Sequence, residues 1–382
     1  MAEPLRVALV DHTARLGGAE WSLLRIVEHL DPAEVRATVV LGEEGPLGDR
    51  LRAAGVPVVV CALDASLRER RKDSLDGRGL ADPRSVVLAA GAVLRLRRVF
   101  REVGAEVVHT NSLKAHVLGG LAGRLAGARV LWHVRDHLAE PYLPRAAVRA
   151  VRLAARVVPD AVVAVSESAA RTVPRRDVAV VHQGVDLPPL DGERPGNGTL
   201  RVGLVGRIAP WKGQDVFLAA AAHVARAFPN AEFVLAGSPL FGEEDFEHEL
   251  RTRAERGDLR GRVQFLGFRD DVHAVFRELD VAVHASTQAE PYGNVVVEAM
   301  AAGKPVVASA AGGVLEIVED GRTGVLVPPG DADALAAALN RLLGNPAERD
   351  RLGSAARRCV EERFSLGGDA AAITRLYRQL VA

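Results

Sequence analysis

The sequence has little cysteine, few aromatics and no excess of either charge. Only two cysteines, Cys61 and Cys359, occur in 382 residues. They are far apart and in no metal-ligand spacing. This argues against a disulfide framework or a metal cluster and points to a reducing compartment. The 49 Lys and Arg residues balance 49 Asp and Glu. No global field draws this chain to nucleic acid, and no nucleic-acid partner is expected. Aromatics are 4% of the chain. No uncharged apolar run reaches the roughly 18 residues that a membrane-spanning helix needs. Met1 to Val10 shows no basic region followed by a long apolar run, so no signal peptide is expected there. A cytoplasmic location follows as an expectation.

What is present is an ordinary globular composition, 48% hydrophobic and 26% charged. The length suits two domains of about 150–200 residues each. Short apolar runs at Leu5 to Val10, Val35 to Leu41, Val56 to Val60, Val107 to His109, Arg129 to Trp132 and Ala161 to Val165 read as strands. Helical patterns alternate with them, which implies a parallel sheet with helices on both faces. Residues 188–199, "PPLDGERPGNGT", have no periodic apolar face and read as a linker. A second alternation then runs through Arg201 to Val205, Glu232 to Ala236, Val263 to Leu266, Val281 to His284, Pro305 to Ala308 and Gly324 to Val327. Asp331 is expected to cap a helix with Leu335, Leu339 and Leu342 on one face. The expected architecture is α/β: two Rossmann-like, doubly wound domains facing a cleft. Their boundaries are expected at 1–187 and 200–365, with a helix in 366–382 returning toward the N-terminal domain. In such sheets ligands bind beyond the carboxyl ends of the strands.

Two loops there carry chemistry. In "EPYGNVVVEAM", Pro291 and Gly293 keep Glu290 on a loop, and a helix should begin near Asn294. A helix N-terminus offers free N–H groups and partial positive charge, suited to phosphate. Glu298, about one turn in, can accept hydrogen bonds from vicinal hydroxyls such as those of ribose. An acidic residue early in a helix is favourable on dipole grounds alone, so Glu298 counts only in combination. In "GLVGRIAPWKG", Gly206 permits a tight turn and sets Arg207 and Lys212 on one loop as two cations for a diphosphate. Singly, each would read as a solvated loop cation. The glycine-rich "LGGAE", Leu16 to Glu20, is a weaker signal of backbone approach to phosphate.

Taken together, these segments resemble glycosyltransferase family four, the group 1 glycosyltransferases of GT-B fold. Glu290 and Glu298, followed by "AMAAGKPVVASAAGGVLEIVEDGRTGVLVPPGD", are similar to the family's C-terminal half, "GRIAPWKG" to its donor-diphosphate loop, and "HQGVDL" to its usual Asn-Gly-Val-Asp. "LGFRDDV" and "LAGSPL" sit where the family has base-side and sugar-side loops. The resemblance implies a retaining, metal-independent enzyme that needs no cofactor and uses a UDP- or GDP-linked sugar as donor. Arg207 and Lys212 would hold the diphosphate, Glu290 the transferred sugar and Glu298 the ribose. Gly293, Asn294 and Val295 would offer backbone donors, Gly18 would approach the phosphates, and Gly267 and Phe268 would lie near the base. Without a clear nucleophile and acid pair, the resemblance favours front-face transfer.

Two departures stand out. The family's Thr-x-His after the middle strand appears as "LWHVRDH", with His133 in the Thr register and Arg135 in the His register. His133 is the candidate catalytic group on the acceptor side, with Arg135 and His137 as alternatives. The Pro-Ser before the first Glu has become His284-Ala285-Ser286, with little expected consequence.

The acceptor is a small molecule, a glycan or a lipid-linked glycan. Arg145, Arg149, Arg152 and Arg156 share one helical face in 145–156, and Arg95, Arg97, Arg98 and Arg101 form a second basic cluster. Both are compatible with peripheral docking on an anionic membrane and equally with a solvated helix face. Residues 66–84 read as a mobile loop near the acceptor cleft. Two other functions stay open, a GT-B-fold sugar-nucleotide epimerase and a non-catalytic sugar-nucleotide binding protein. The first needs acid and base groups astride the sugar, where only Glu290 is evident. The second would have little use for both phosphate cations.

Overall fold

The computed structural model describes residues 3–68, 83–190, 198–240 and 242–382. Most of the 66–84 loop and the centre of the 188–199 linker lie outside the described residues. The chain divides into two units, one of residues 1–184 with 366–382 and one of residues 185–365.

The first unit holds seven parallel strands among the described residues, in the order β3-β2-β1-β4-β5-β6-β7. They are β1 (Leu5–Asp11), β2 (Val35–Leu41), β3 (Val58–Val60), β4 (Val107–Thr110), β5 (Arg129–Val134), β6 (Ala161–Ala164) and β7 (Val178–Val180). β7 has no counterpart in the sequence reading. Leu9, Val39, Leu131 and Val163 form the core of the sheet. The C-terminal helix, Leu366–Val381, belongs to this unit and lies within the 366–382 segment where a helix is expected. It sends Ile373 and Tyr377 into that same core.

The second unit holds six parallel strands among the described residues, in the order β10-β9-β8-β11-β12-β13. They are β8 (Leu200–Val205), β9 (Ala231–Ala236), β10 (Val263–Gly267), β11 (Val281–His284), β12 (Val306–Ser309) and β13 (Val325–Val327). Phe217 and Phe233 pack edge to face in the core. Asp331 caps the helix Ala332–Leu343 by accepting the Ala334 N–H at 2.8 Å, and Leu335, Leu339 and Leu342 are buried.

In both sheets the order reverses beside the first strand, between β1 and β4 and between β8 and β11. Loops leaving adjacent strands in opposite directions open a crevice at such a point, where ligands gather in doubly wound sheets.

Candidate functional site

In the second unit the loops after β8 and β11 meet at the switch point. A glycine at residue 213 makes the approach possible. Its φ is +71°, and an added Cβ would lie 2.0 Å from the Ala285 carbonyl oxygen. The Trp211 carbonyl accepts the Thr287 N–H at 2.9 Å, tying one loop to the other. Gln214, fully buried, donates from Nε2 to the Arg207 carbonyl at 2.8 Å and fixes the turn that carries Arg207.

The two loops bring Lys212 and Glu290 together, Nζ to Oε1 at 2.7 Å. His284 Nε2 reaches the same oxygen at 2.8 Å, and Ser286 Oγ donates to it as well. Burial alone would raise the Glu290 pKa, but the Lys212 charge and then His284 hold it well below the usual carboxylate range. All three donors converge on Oε1, which leaves Oε2 facing no donor among the described residues. Sequence reading assigned Lys212 and Glu290 to different parts of a ligand; the structure also pairs them with each other. The substitution at His284 and Ser286, expected to matter little, instead anchors Glu290. Both lie on one side of a chain with extended periodicity, two residues apart, which is the signal that could have revealed them.

Arg207 extends over the other side of the loop, with Nη1 3.4 Å from Glu243 Oε1. Its Cζ is 5.7 Å from the Trp211 ring centroid, and Lys212 Nζ is 4.5 Å from it. The indole thus holds two cations on one short loop.

The helix after Glu290 is Asn294–Ala301, entered through Gly293 at φ +132° with no side-chain cap. Its first amides, at Asn294 and Val295, therefore face the end of the loop that carries Glu290. The Glu290 carbonyl accepts the Gly313 N–H at 2.9 Å and fixes the entry to the helix. Glu298 is buried one turn in. Gly267 ends β10 at φ +67°, and its carbonyl accepts the Gly237 N–H at 2.8 Å. Phe268, the next residue, is 54% exposed.

The first unit has its own polar switch point. Gly18 opens the helix Gly18–Glu28, and Glu20 Oε2 accepts the Gly17 N–H at 3.0 Å. His133 is not on a loop, because β5 runs two residues further than its apolar run suggests. It is 1% exposed, with His109 Nε2 3.1 Å from its Nδ1. Burial, and then the Arg135 charge, push its pKa well below the usual histidine value. A neutral, enclosed imidazole within the strand replaces the loop position expected for it after the strand. His137 is half-buried, its Nε2 3.0 Å from Ser168 Oγ. Asp11, Asn111 and Arg135 form a linked polar group that sequence reading did not identify.

Among the described residues, no group of three or more His, Cys, Asp or Glu side chains is placed to hold a metal ion, and no helix is long and apolar enough to cross a membrane.

A family model for glycosyl transferases group 1 matches residues 194–359, and one for glycosyltransferase family 4 matches residues 16–188. A phosphatidyl-myo-inositol mannosyltransferase of Mycolicibacterium smegmatis is 42% identical over 161 residues, covering 41% of this chain and 39% of that protein. The chain spans about half the length, or less, of the curated relatives it matches. Alr3699/HepE of Anabaena, solved with UDP and glucose, superposes with a TM-score of 0.83 at 28% identity, over 98% of this chain and 99% of that one. Its complex with UDP-glucose gives a TM-score of 0.83 at 28% identity, over 98% of this chain and 100% of that one. Matched by one model in each half and by that structure along nearly its whole length, this chain of GT-B fold belongs to glycosyltransferase family 4, the group 1 glycosyltransferases.

Proposed function

We propose that this chain is a retaining glycosyltransferase that moves a sugar from a UDP- or GDP-linked donor to an acceptor hydroxyl without a metal ion. The observation that carries the reading is the Lys212–Glu290 pair beside Arg207 at the switch point, next to the N-terminus of the helix Asn294–Ala301. The diphosphate binds against Arg207, Lys212 and the first helix amides. Glu298 receives the ribose hydroxyls, and Gly267 and Phe268 lie beside the base. The binding of UDP and UDP-glucose by the Anabaena structure supports a nucleoside-diphosphate sugar as donor.

Glu290 holds the transferred sugar through Oε2. With three donors already on Oε1, its electron density is drawn away from any nucleophilic role. Front-face transfer fits this better than a covalent intermediate. The bond from the anomeric carbon to the phosphate oxygen breaks, and the acceptor oxygen bonds to that carbon on the same face. The acceptor proton passes to the leaving phosphate. Fixed cations on that phosphate stabilise the charge that develops there. They take the part a metal would otherwise play, which is the ground for metal independence.

The acceptor is a small molecule, a glycan or a lipid-linked glycan. Peripheral contact with an anionic membrane is supported by the helix Arg145–Val157. Leu153 and Val157 are 61% and 64% exposed there, beside the basic residues Arg149, Arg152 and Arg156. A panel of sugar nucleotides screened by thermal shift, followed by assay of released nucleoside diphosphate, tests the function. A stabilising donor that is turned over supports it. Absence of binding by every UDP- and GDP-sugar would refute it.

A further inference from the structure

The helices Pro83–Glu102, Leu113–Ala126 and Arg145–Val157 lie in the connections from β3 to β4, β4 to β5 and β5 to β6. In the order β3-β2-β1-β4-β5-β6-β7 all three crossovers step the same way, so right-handed connections put the three helices on one face of the sheet. Val93 and Ala115 of the first two share a core with Val10 and Val108. Each helix runs opposite to its strands. The three C-terminal ends therefore share the amino edge of the sheet, away from the carboxyl edge where ligands bind. Contacts join those ends in series. Arg97 Nε donates to the Leu125 carbonyl at 3.1 Å, and Arg124 Nη1 donates to Asp160 Oδ1, just past the third helix, at 2.6 Å. Gly120 lies so near Val158 that an added Cβ would be 2.7 Å from its Cγ1.

Positive charge and exposed apolar surface concentrate on these helices. Together they carry eleven Lys and Arg and one acid, Glu102, in a chain whose charges balance. Glu102 pairs with Arg98 at 2.8 Å and Asp160 with Arg124. The side chains of Arg101, Arg152 and Arg156 have no partner among the described residues. A cation near a helix C-terminus is favourable on dipole grounds alone. That does not account for the apolar side chains there. Leu94, Leu121, Leu125, Leu153 and Val157 are exposed, five of the eight exposed large hydrophobic side chains described in this unit. On each helix a leucine stands three or four residues from an arginine: Leu94 from Arg98, Leu121 from Arg124 and Leu153 from Arg156. Apolar and basic side chains are thus neighbours on the surface of every one.

We infer that the C-terminal ends of these three helices form one docking face for an anionic phospholipid bilayer. This rests on the membrane contact proposed above for Arg145–Val157 alone and deepens it: the ends of two further helices join the contact, and it lies at the amino edge of the sheet. The mixed character of the face selects the occupant. Protein interfaces keep charge out of their apolar centre. The headgroup layer of a bilayer instead takes apolar side chains beside arginines that meet lipid phosphates. A second copy docking through the same face would set arginine against arginine. Contact at the amino edge leaves the carboxyl edge of this sheet free while the chain is docked.

The test is cosedimentation of the full chain with vesicles of phosphatidylcholine alone and of phosphatidylcholine mixed with phosphatidylglycerol. Wild-type protein should bind the mixed vesicles at least about tenfold more tightly, and high salt should narrow the gap. Leu121→Gln with Leu125→Gln at one helix end, and Leu153→Gln with Val157→Gln at another, should each lower that affinity about tenfold. Arg101→Gln with Arg152→Gln should reduce the preference for mixed over neutral vesicles. All six side chains are exposed, and circular dichroism should show each variant folded. Should a leucine variant fail to fold, the arginine variant still decides. Wild-type protein that binds neither vesicle, or both alike, would overturn this face and the contact proposed for Arg145–Val157 together. If the Leu121 and Leu125 variant binds as wild type while the Leu153 and Val157 variant does not, only the shared face is overturned and the contact through Arg145–Val157 stands. Self-association of wild-type protein that the Leu121 and Leu125 variant dissolves, without vesicle binding, would assign the face to a second copy and overturn the inference as well.

Discussion

Lys212 Nζ lies 2.7 Å from Glu290 Oε1, joining residues 78 apart in sequence. The pair links the loop proposed to hold the diphosphate to the loop proposed to hold the sugar. Removing Lys212 should therefore affect both donor binding and stability.

Lys212→Ala and Arg207→Ala should each reduce turnover by roughly 30- to 1,000-fold, the loss of a charge-assisted contact worth about 2–4 kcal/mol. The two should differ in stability. Lys212→Ala leaves the Glu290 carboxylate buried without its cation, a loss on the order of 3 kcal/mol. Arg207, paired less closely at 3.4 Å with Glu243, should cost less. The folded Glu290 pKa is depressed, so the pair's contribution is present above the usual carboxylate range and is lost as pH falls through the folded value. Thermal unfolding of both variants at neutral and acid pH checks this: the Lys212→Ala deficit should shrink in acid. A deficit that is the same at every pH would count against the pair.

Glu298→Gln should weaken nucleoside diphosphate and sugar nucleotide alike by about tenfold, or about 1.4 kcal/mol. Glu290→Gln should leave diphosphate binding nearly unchanged and lower turnover more than donor affinity. Ser286→Ala should move turnover in the same direction as Glu290→Gln, by a smaller factor, because it removes one donor from Glu290 Oε1. Calorimetry beside turnover assays separates the roles. Loss of diphosphate affinity at Glu290→Gln but not at Glu298→Gln would exchange the two assignments.

Glu20 predicts an opposite pH trend in the first unit. Its folded pKa is raised to about 8 from a usual 4.5, by burial first and the Asp11 charge second. Between those values the folded chain keeps a proton that the unfolded chain has released. Stability therefore falls as pH rises through that window. Glu20→Gln keeps an acceptor for the Gly17 N–H and removes the titration. Its melting temperature relative to wild type should climb from about pH 5 to about pH 8. A constant difference across that range would show that Glu20 is not the group responsible.

Transfer should persist in excess chelator, since Arg207 and Lys212 are proposed to carry the leaving-group charge. Loss of activity restored by magnesium or manganese would overturn that part of the mechanism.

The strands were legible because parallel sheets bury both faces and so read as unbroken apolar runs, as in Val35 to Leu41 and Val281 to His284. β7 was not, because three residues after Arg175, Arg176 and Asp177 carry too little pattern. At the site, glycine and proline marked the loops bearing Arg207, Lys212 and Glu290. Their mutual contact was not legible, since tertiary folding sets which distant loops meet. His284 and Ser286 were passed over because one ends a strand and the other follows it, where polar residues attract little notice. The polar group of the first unit was hidden in the same way. His109 is embedded in an apolar run, and its hydrogen-bond partner Tyr377 lies 268 residues away.

Calorimetric titration of UDP and GDP into the full chain, run beside Arg207→Ala and Lys212→Ala, tests the central claim most directly. At least one nucleotide should bind wild-type protein and lose roughly 30-fold or more in affinity with each variant, while both variants keep their folded circular dichroism. Equal nucleotide affinity in wild type and both variants would contradict the claim that these two cations hold the donor diphosphate.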